Sequence, residues 1–201
     1  KHPEQVFVFD QSYASFSPQE VPSAREALSL GNVILVQSLT KSFAIPGLRL
    51  GYLVSNATTL GRIRALSHPW SVNTLAIEAG KWLLRNQALY EGIEAQLLKS
   101  SRTLRAKLSA FPWLSIVPTD THFFIFHFEV SGATSADLKE WLARERGILV
   151  RDATNMGTLG SACIRVASQG EETDQALVDA LRDWYLQQTP KQPYHSSDSP
   201  K

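Results

Sequence analysis

The chain has 201 residues, 43% of them hydrophobic, and its 20 Lys and Arg against 19 Asp and Glu give a formal net charge of +1. That length and composition allow one sizeable domain or two small ones with a buried core, and the near-neutral balance removes the electrostatic reason to expect non-specific binding of nucleic acid or anionic membranes. The single Cys163 excludes an intramolecular disulfide and a multi-cysteine zinc site, and no apolar stretch approaches the roughly 20 residues that span a bilayer, so the expectation is a soluble protein of a reducing compartment, the cytoplasm.

In chain order, Gln5 to Phe9 is apolar on both faces, as in a central strand covered by helices on each side, and it runs into Asp10. The chain enters this strand almost at once, with neither Met nor a signal segment before it, which reads as the later part of a longer polypeptide. Ser23 with Glu26 forms a capping-box pattern, and Gly31 stands where a helix end wants a left-handed residue, so a short helix lies between them. Val33 to Val36 is a second doubly apolar strand, ending in Gln37-Ser38. The loop Leu39 to Gly47 follows, and Leu48 to Val54 reads as a third strand. Strand, helix, strand in this order implies a right-handed crossover and a largely parallel sheet, with ligands beyond the carboxyl ends of the strands, where Asp10 and Ser38 sit.

Thr59 to Leu66 reads as a short helix, and the break Pro69-Trp70-Ser71-Val72-Asn73 follows. A long helical region runs from about Thr74 to Ala110 with a break near Asn86, where Leu97, Leu98, Leu104 and Leu108 share a face. The remainder has an α+β pattern: strands at Leu114 to Val117 and His122 to Phe128, a helix at Ser135 to Arg146, strands at Ile148 to Arg151 and Ala162 to Ala167, and a helix at Glu171 to Gln187. The expected organisation is a large-domain portion over 1–73, a linking helical region over 74–110, a small domain over 111–188 and a Pro- and Ser-rich disordered tail over 189–201.

Lys41 is the sharpest chemical candidate, because it lies in a small-residue loop between two buried strands and not on a periodic charged face. A lysine desolvated at a sheet's ligand edge becomes a nucleophile for carbonyl compounds. Ser38 and Thr40 add hydroxyl donors, and Arg49, eight residues beyond Lys41, adds a guanidinium suited to bidentate phosphate contact. With Asp10 to keep a pyridine nitrogen protonated and Tyr13 to hydrogen-bond a ring oxygen, the set describes a site for pyridoxal 5'-phosphate.

The string Ser38-Leu39-Thr40-Lys41-Ser42-Phe43-Ala44-Ile45-Pro46-Gly47-Leu48-Arg49-Leu50-Gly51-Tyr52 resembles the cofactor-lysine signature of the class I/II aminotransferase superfamily, and Asp10-Gln11-Ser12-Tyr13 is similar to the Asp-x-x-Tyr that precedes it there. Within that superfamily, Ala44 to Arg49 and Pro69 to Asn73 resemble the threonine-phosphate decarboxylases of cobalamin biosynthesis, relatives of the histidinol-phosphate aminotransferases. The resemblance spans about residues 5–187, corresponding to the second half of a family member. It implies an α/β fold: part of the mostly parallel large-domain sheet of pyridoxal-phosphate fold type I, plus an α+β C-terminal small domain. The first half of such a fold would supply a glycine-containing phosphate turn, an aromatic residue stacked on the ring and an Asn near its oxygen, and none of these is found in this sequence.

Carried over by position, the resemblance makes Lys41 the cofactor-linking lysine, Asp10 the acid facing the ring nitrogen, Tyr13 the ring-oxygen partner, and Ser38, Thr40 and Arg49 the phosphate ligands. Arg165 matches the small-domain arginine that clamps a substrate α-carboxylate, and Arg151 a second substrate arginine, with an ion pair to the adjacent acids as its alternative. The implied activity is decarboxylation of L-threonine O-3-phosphate in a homodimeric enzyme acting on a small phosphorylated amino acid, with no nucleic-acid, membrane or metal partner. The rivals are a histidinol-phosphate-type aminotransferase and a truncated, idle polypeptide. His122 and His127 flank an apolar strand without a ligand-spaced partner, Cys163 reads as a buried small hydrophobe, Asn56-Ala57-Thr58 as an idle sequon, and Trp70 as either a pocket wall or hinge packing.

Overall fold

The computed structural model describes residues 2–157 and 159–189. The chain divides into two compact units, the first from residues 1–99 with 120–122, the second from 100–119 and from 123 onward. The tail expected to be disordered lies outside the described residues apart from Thr189, whose N–H closes the last helix on the Tyr185 carbonyl.

Unit 1 holds strand β1 (Phe7–Asp10), helix α1 (Ala24–Leu30), β2 (Val33–Ser38), the single turn α2 (Leu39–Ser42), β3 (Gly51–Val54), α3 (Ala57–Leu66), α4 (Thr74–Arg85) and the start of α5 (Ile93–Leu108). Helix α1 begins in a full capping box: the Ser23 hydroxyl accepts from the Glu26 N–H, and the Glu26 carboxylate accepts from the Ser23 N–H. It ends at Gly31 with φ 75°, so both terminal signals act as the residue types dictate. The sequon-like Asn56 caps α3 by accepting from the Thr59 N–H at 2.9 Å, and Asn73 caps α4 by accepting from the Ala76 N–H at 2.9 Å. The long helical region breaks at Asn86, where its N–H bonds back to Trp82 and Leu83 and a 3-10 turn Gln87–Tyr90 intervenes.

The sheet order in unit 1 is β1-β2-β3. The β1–β2 pairing is parallel, with Asp10 opposite Val36, as the crossover through α1 requires. The β2–β3 pairing is antiparallel, with Ser38 opposite Gly51, because the chain between these strands doubles back through α2 and a 3-10 turn at Pro46–Leu48 without crossing over. The central strand is β2. β1 lies at the edge among the described residues, and Val6 and Val8 are exposed where the sequence pattern led us to expect cover on both faces. Leu66, Trp70 and Leu75 are exposed as well, and Trp70 has φ 56°. The hydrophobic cluster of unit 1 is small: Ala27, Val33 and Leu35, with Phe7 and Val54 against them.

Unit 2 carries the larger core. Its sheet has the order β4 (Leu114–Ile116), β5 (Phe123–Phe128), β7 (Cys163–Ala167), β6 (Arg151–Asp152), all antiparallel. Helices α6 (Ser135–Arg146) and α7 (Glu171–Gln188) and the end of α5 complete it. Alternation along β5 buries Phe124, Phe126 and Phe128 against Leu104, Leu108, Leu138, Leu142, Leu181 and Trp184. Cys163 is fully buried, and its backbone N–H donates to the Ser135 hydroxyl; burial pushes its thiol pKa up. The expected strand Ile148 to Arg151 is confined to Arg151–Asp152, because Ile148 instead closes α6 by donating to the Leu142 carbonyl.

Leu142 has no exposed surface and stands in the core of unit 2. Leu142→Ala is expected to destabilise that unit by about 2–5 kcal/mol, read as lost amide hydrogen-exchange protection in β5 and β7.

Candidate active site

Parallel pairing brings the carboxyl ends of β1 and β2 to one sheet edge. The ladder continues one step past β1, where the Gln11 N–H donates to the Val36 carbonyl at 2.9 Å. The Gln11 side chain is buried; it donates to the Pro22 carbonyl at 2.7 Å and accepts from Gln37. The chain therefore leaves β1 from a fixed point. Asp10 and Tyr13 flank that point, and Phe16 buries itself at the end of a 3-10 turn, Ala14–Phe16.

On the neighbouring strand, β2 passes directly into α2 instead of the loop read from the sequence. Leu39 and Thr40 are buried, the Leu39 N–H donates to the Leu50 carbonyl at 3.1 Å, and the Phe43 N–H closes the turn on Leu39. Those anchors fix Lys41, whose side chain is exposed to solvent and not desolvated as expected. Its Nζ lies 5.3 Å from the centroid of the Tyr13 ring, within cation–π range. The Ser38 and Thr40 hydroxyls are 2.7 Å apart. Arg49 adopts the left-handed conformation at φ 52°, and its Nη1 donates to the Pro46 carbonyl at 2.9 Å. Ala44 also has φ 52°, so the turn after Lys41 holds two non-glycine residues in a conformation that costs about 1–2 kcal/mol each.

Asp10, Ser12, Tyr13, Lys41 and Thr121 line one cavity of about 500 Å³, within the ~300–1,000 Å³ of small-molecule sites. Tyr13 and Lys41 also line a second cavity of about 340 Å³ with Phe16, Thr40 and His122. Donors to Asp10 hold its carboxyl below the ordinary value, the Ser12 hydroxyl contributing most and the Ser12 N–H next. A depressed carboxyl stabilises the folded state above its ordinary pKa, and that contribution is lost as pH falls through the lowered one. The donor set of amine, carboxylate and phenol around one cavity fits pyridoxal phosphate, whose aldehyde, pyridine nitrogen and ring oxygen call for those three groups.

A sequence profile of the aminotransferase class I and II family matches residues 2–181. The chain belongs to that family. Its enzymes use pyridoxal phosphate. A threonine-phosphate decarboxylase of Salmonella typhimurium is 32% identical over 177 residues, covering 88% of this chain and 48% of that protein. The histidinol-phosphate aminotransferase 2 of Archaeoglobus fulgidus is 29% identical over 177 residues, covering 88% and 49%. Among solved structures, the L-threonine-O-3-phosphate decarboxylase of Porphyromonas gingivalis matches with a TM-score of 0.85 at 33% identity, over 91% of this chain and 56% of that one. The chain thus has the type I pyridoxal-phosphate fold in part, and it spans about half the length of the curated relatives it matches.

In unit 2, Arg151 and Arg165 stand directly opposite each other across β6 and β7, on one face of the sheet. Arg165 lies over the Phe123 ring, 5.3 Å from its centroid. Arg151 makes no ion pair among the described residues; its neighbour Asp152 instead accepts from the N–H and hydroxyl of Thr154.

Two contributors escaped sequence reasoning. His122, which the sequence shows only as a strand flank without a ligand-spaced partner, belongs to unit 1 and packs 4.2 Å from Phe16 and 6.0 Å from Tyr13, centroid to centroid. No local pattern announces this, because the contact comes from a loop far along the chain. Gly51 was visible as part of the signature, but its reason was not: a Cβ there would stand 2.5 Å from the Gln37 carbonyl oxygen. Gly51→Ala is therefore expected to cost about 1–3 kcal/mol and to displace the end of β2, read as faster exchange of the Leu39 amide that bonds Leu50.

Proposed function

We propose that this chain is the lysine-bearing part of a pyridoxal-phosphate enzyme that decarboxylates L-threonine O-3-phosphate to 1-aminopropan-2-yl phosphate and carbon dioxide, the step that supplies the linker of cobalamin, in a cytoplasmic homodimer. The observation that carries the reading is the convergence of Lys41, Asp10 and Tyr13 on one cavity. The two threonine-phosphate decarboxylases at 32% and 33% identity support the choice of reaction.

When bound, the cofactor supplies a protonated ring that takes up the electron pair left at Cα as the carboxylate departs. The residues of this chain do the rest. Asp10 keeps the proton on the pyridine nitrogen, because an anion beside it favours the charged form. Tyr13 donates its phenolic hydrogen to the ring oxygen, and Thr40, Ser38 and Arg49 are the phosphate ligands, Arg49 on release from Pro46. Lys41 would hold the cofactor through its amine and, with that amine free, would deliver the proton that replaces carbon dioxide at Cα.

Arg165 clamps the substrate carboxylate with a planar fork of donors, and Arg151 holds a second anionic group. Their direct opposition supports this reading. Like charges across a strand pair repel, and an anionic ligand turns the same juxtaposition favourable. In this way the two arginines would fix the orientation of the substrate and with it which bond at Cα is activated.

Incubation of the enzyme that contains this chain with pyridoxal phosphate and L-threonine O-3-phosphate is expected to release carbon dioxide. An oxoglutarate-dependent keto product in its place favours the aminotransferase reading, which the Archaeoglobus relative supports, and neither product overturns both for this polypeptide. Arg165→Lys keeps the charge and loses the fork, and is expected to raise KM for the substrate by about 10- to 100-fold with a smaller change in kcat.

A further inference from the structure

Asp10 is exposed, and no ion pair among the described residues includes it. An exposed aspartate ordinarily samples several rotamers, whereas an acid that must meet one ring atom needs one. The restraint comes from a residue the motif leaves unspecified. The Ser12 hydroxyl donates to Asp10 Oδ1 at 2.6 Å, and the Ser12 N–H donates to the same oxygen at 2.9 Å. Both donors fall on Oδ1, leaving Oδ2 as the oxygen free to present outward. Ser12 lines the same cavity as Asp10, Tyr13 and Lys41, the latter two being the other ionisable groups there.

Ser12 is itself held. Gln11, the residue between them, is tied to Val36, Pro22 and Gln37, so the backbone that carries the Ser12 N–H does not drift relative to β1. Charge-assisted bonds of this kind are short and about twice as strong as neutral ones, and two on one oxygen define both the torsion and the plane of the carboxylate.

We propose that Ser12 is the positioning residue for Asp10: it locks the carboxylate by one oxygen so that the other faces the pyridine nitrogen. The inference rests on the reading of Asp10 as the acid that meets that nitrogen. Ser12 touches neither the ring nor the substrate and acts only through Asp10. Position 12 accordingly accepts a hydroxyl residue and not an alanine of nearly the same size.

The test uses the 201-residue chain as wild type, Ser12→Ala, Ser12→Thr and Asp10→Asn. Without cofactor, side-chain scalar couplings report the Asp10 rotamer and carboxyl carbon shifts report its titration. Wild type and Ser12→Thr are expected to show one rotamer and a lowered midpoint. Ser12→Ala, which keeps the backbone donor, is expected to show averaged couplings and a midpoint nearer the ordinary carboxylate value. With pyridoxal phosphate labelled with nitrogen-15 at the ring, Ser12→Ala is expected to move the ring-nitrogen resonance part of the way toward its value in Asp10→Asn, and to weaken binding by about three- to ten-fold, with Ser12→Thr restoring both. Unchanged couplings and midpoint in Ser12→Ala overturn the proposal. So does a ring-nitrogen resonance that moves in Asp10→Asn but not in Ser12→Ala, and in that case the reading of Asp10 survives. A resonance unmoved in Asp10→Asn removes that reading and the proposal with it.

Discussion

The parallel pairing of β1 with β2 is the constraint on which the site depends. A parallel pair must be joined by a crossover, which α1 supplies, and both strands then deliver their carboxyl ends to the same edge. Asp10 and Tyr13 follow one strand and Lys41 follows the other, so residues far apart in sequence share one cavity, and Thr40 lines the neighbouring cavity with Tyr13 and Lys41. Gln11 sharpens the arrangement by bonding across to β2 and back to Pro22. The acid side of the site is thereby referenced to the strand that leads into the turn carrying the lysine.

The two units differ in how they are held together. Unit 2 closes a core of aromatic and branched side chains around β5 and β7, and burial at about 25 cal/mol per Å² of apolar surface makes that core its main source of stability. The β6–β7 register places Arg151 directly opposite Arg165, like charges that repel across the strand pair. Unit 1 has only a small cluster about Ala27, Val33 and Leu35, and it relies on hydrogen-bonded devices: the capping box of α1, the asparagine caps of α3 and α4, and the close approach of Gly51 to Gln37. A shift at Gly51 reaches the lysine through its neighbours, because the adjacent Leu50 carbonyl accepts from the Leu39 N–H two residues before Lys41.

Much of this is legible in the sequence. Strand ends carrying Asp10 and Ser38, the helix between them and the left-handed Gly31 follow from residue types with strong local preferences. The alternation along β5 and the break at Asn86 were equally readable. What escaped has a common cause in long-range contact. The antiparallel turn of β3 depends on how the chain from Leu39 to Leu50 packs, the exposure of β1 depends on what lies beside it, and the place of His122 beside Tyr13 depends on a loop far along the chain. The local turn that rests the Arg49 guanidinium on the Pro46 carbonyl is likewise not revealed by spacing. Ser12 lies within the motif but carries no pattern of its own, since two hydrogen bonds to a neighbour leave no periodic trace.

The central claim is that Lys41, of all the lysines, is the one that takes the cofactor. Its most direct measurement is borohydride reduction of the chain mixed with a stoichiometric amount of pyridoxal phosphate, followed by mass mapping of proteolytic peptides. The account predicts that the phosphopyridoxyl label falls on the peptide containing Lys41. A label spread over surface lysines such as Lys81, Lys107 and Lys139, with Lys41 unmodified, would contradict it.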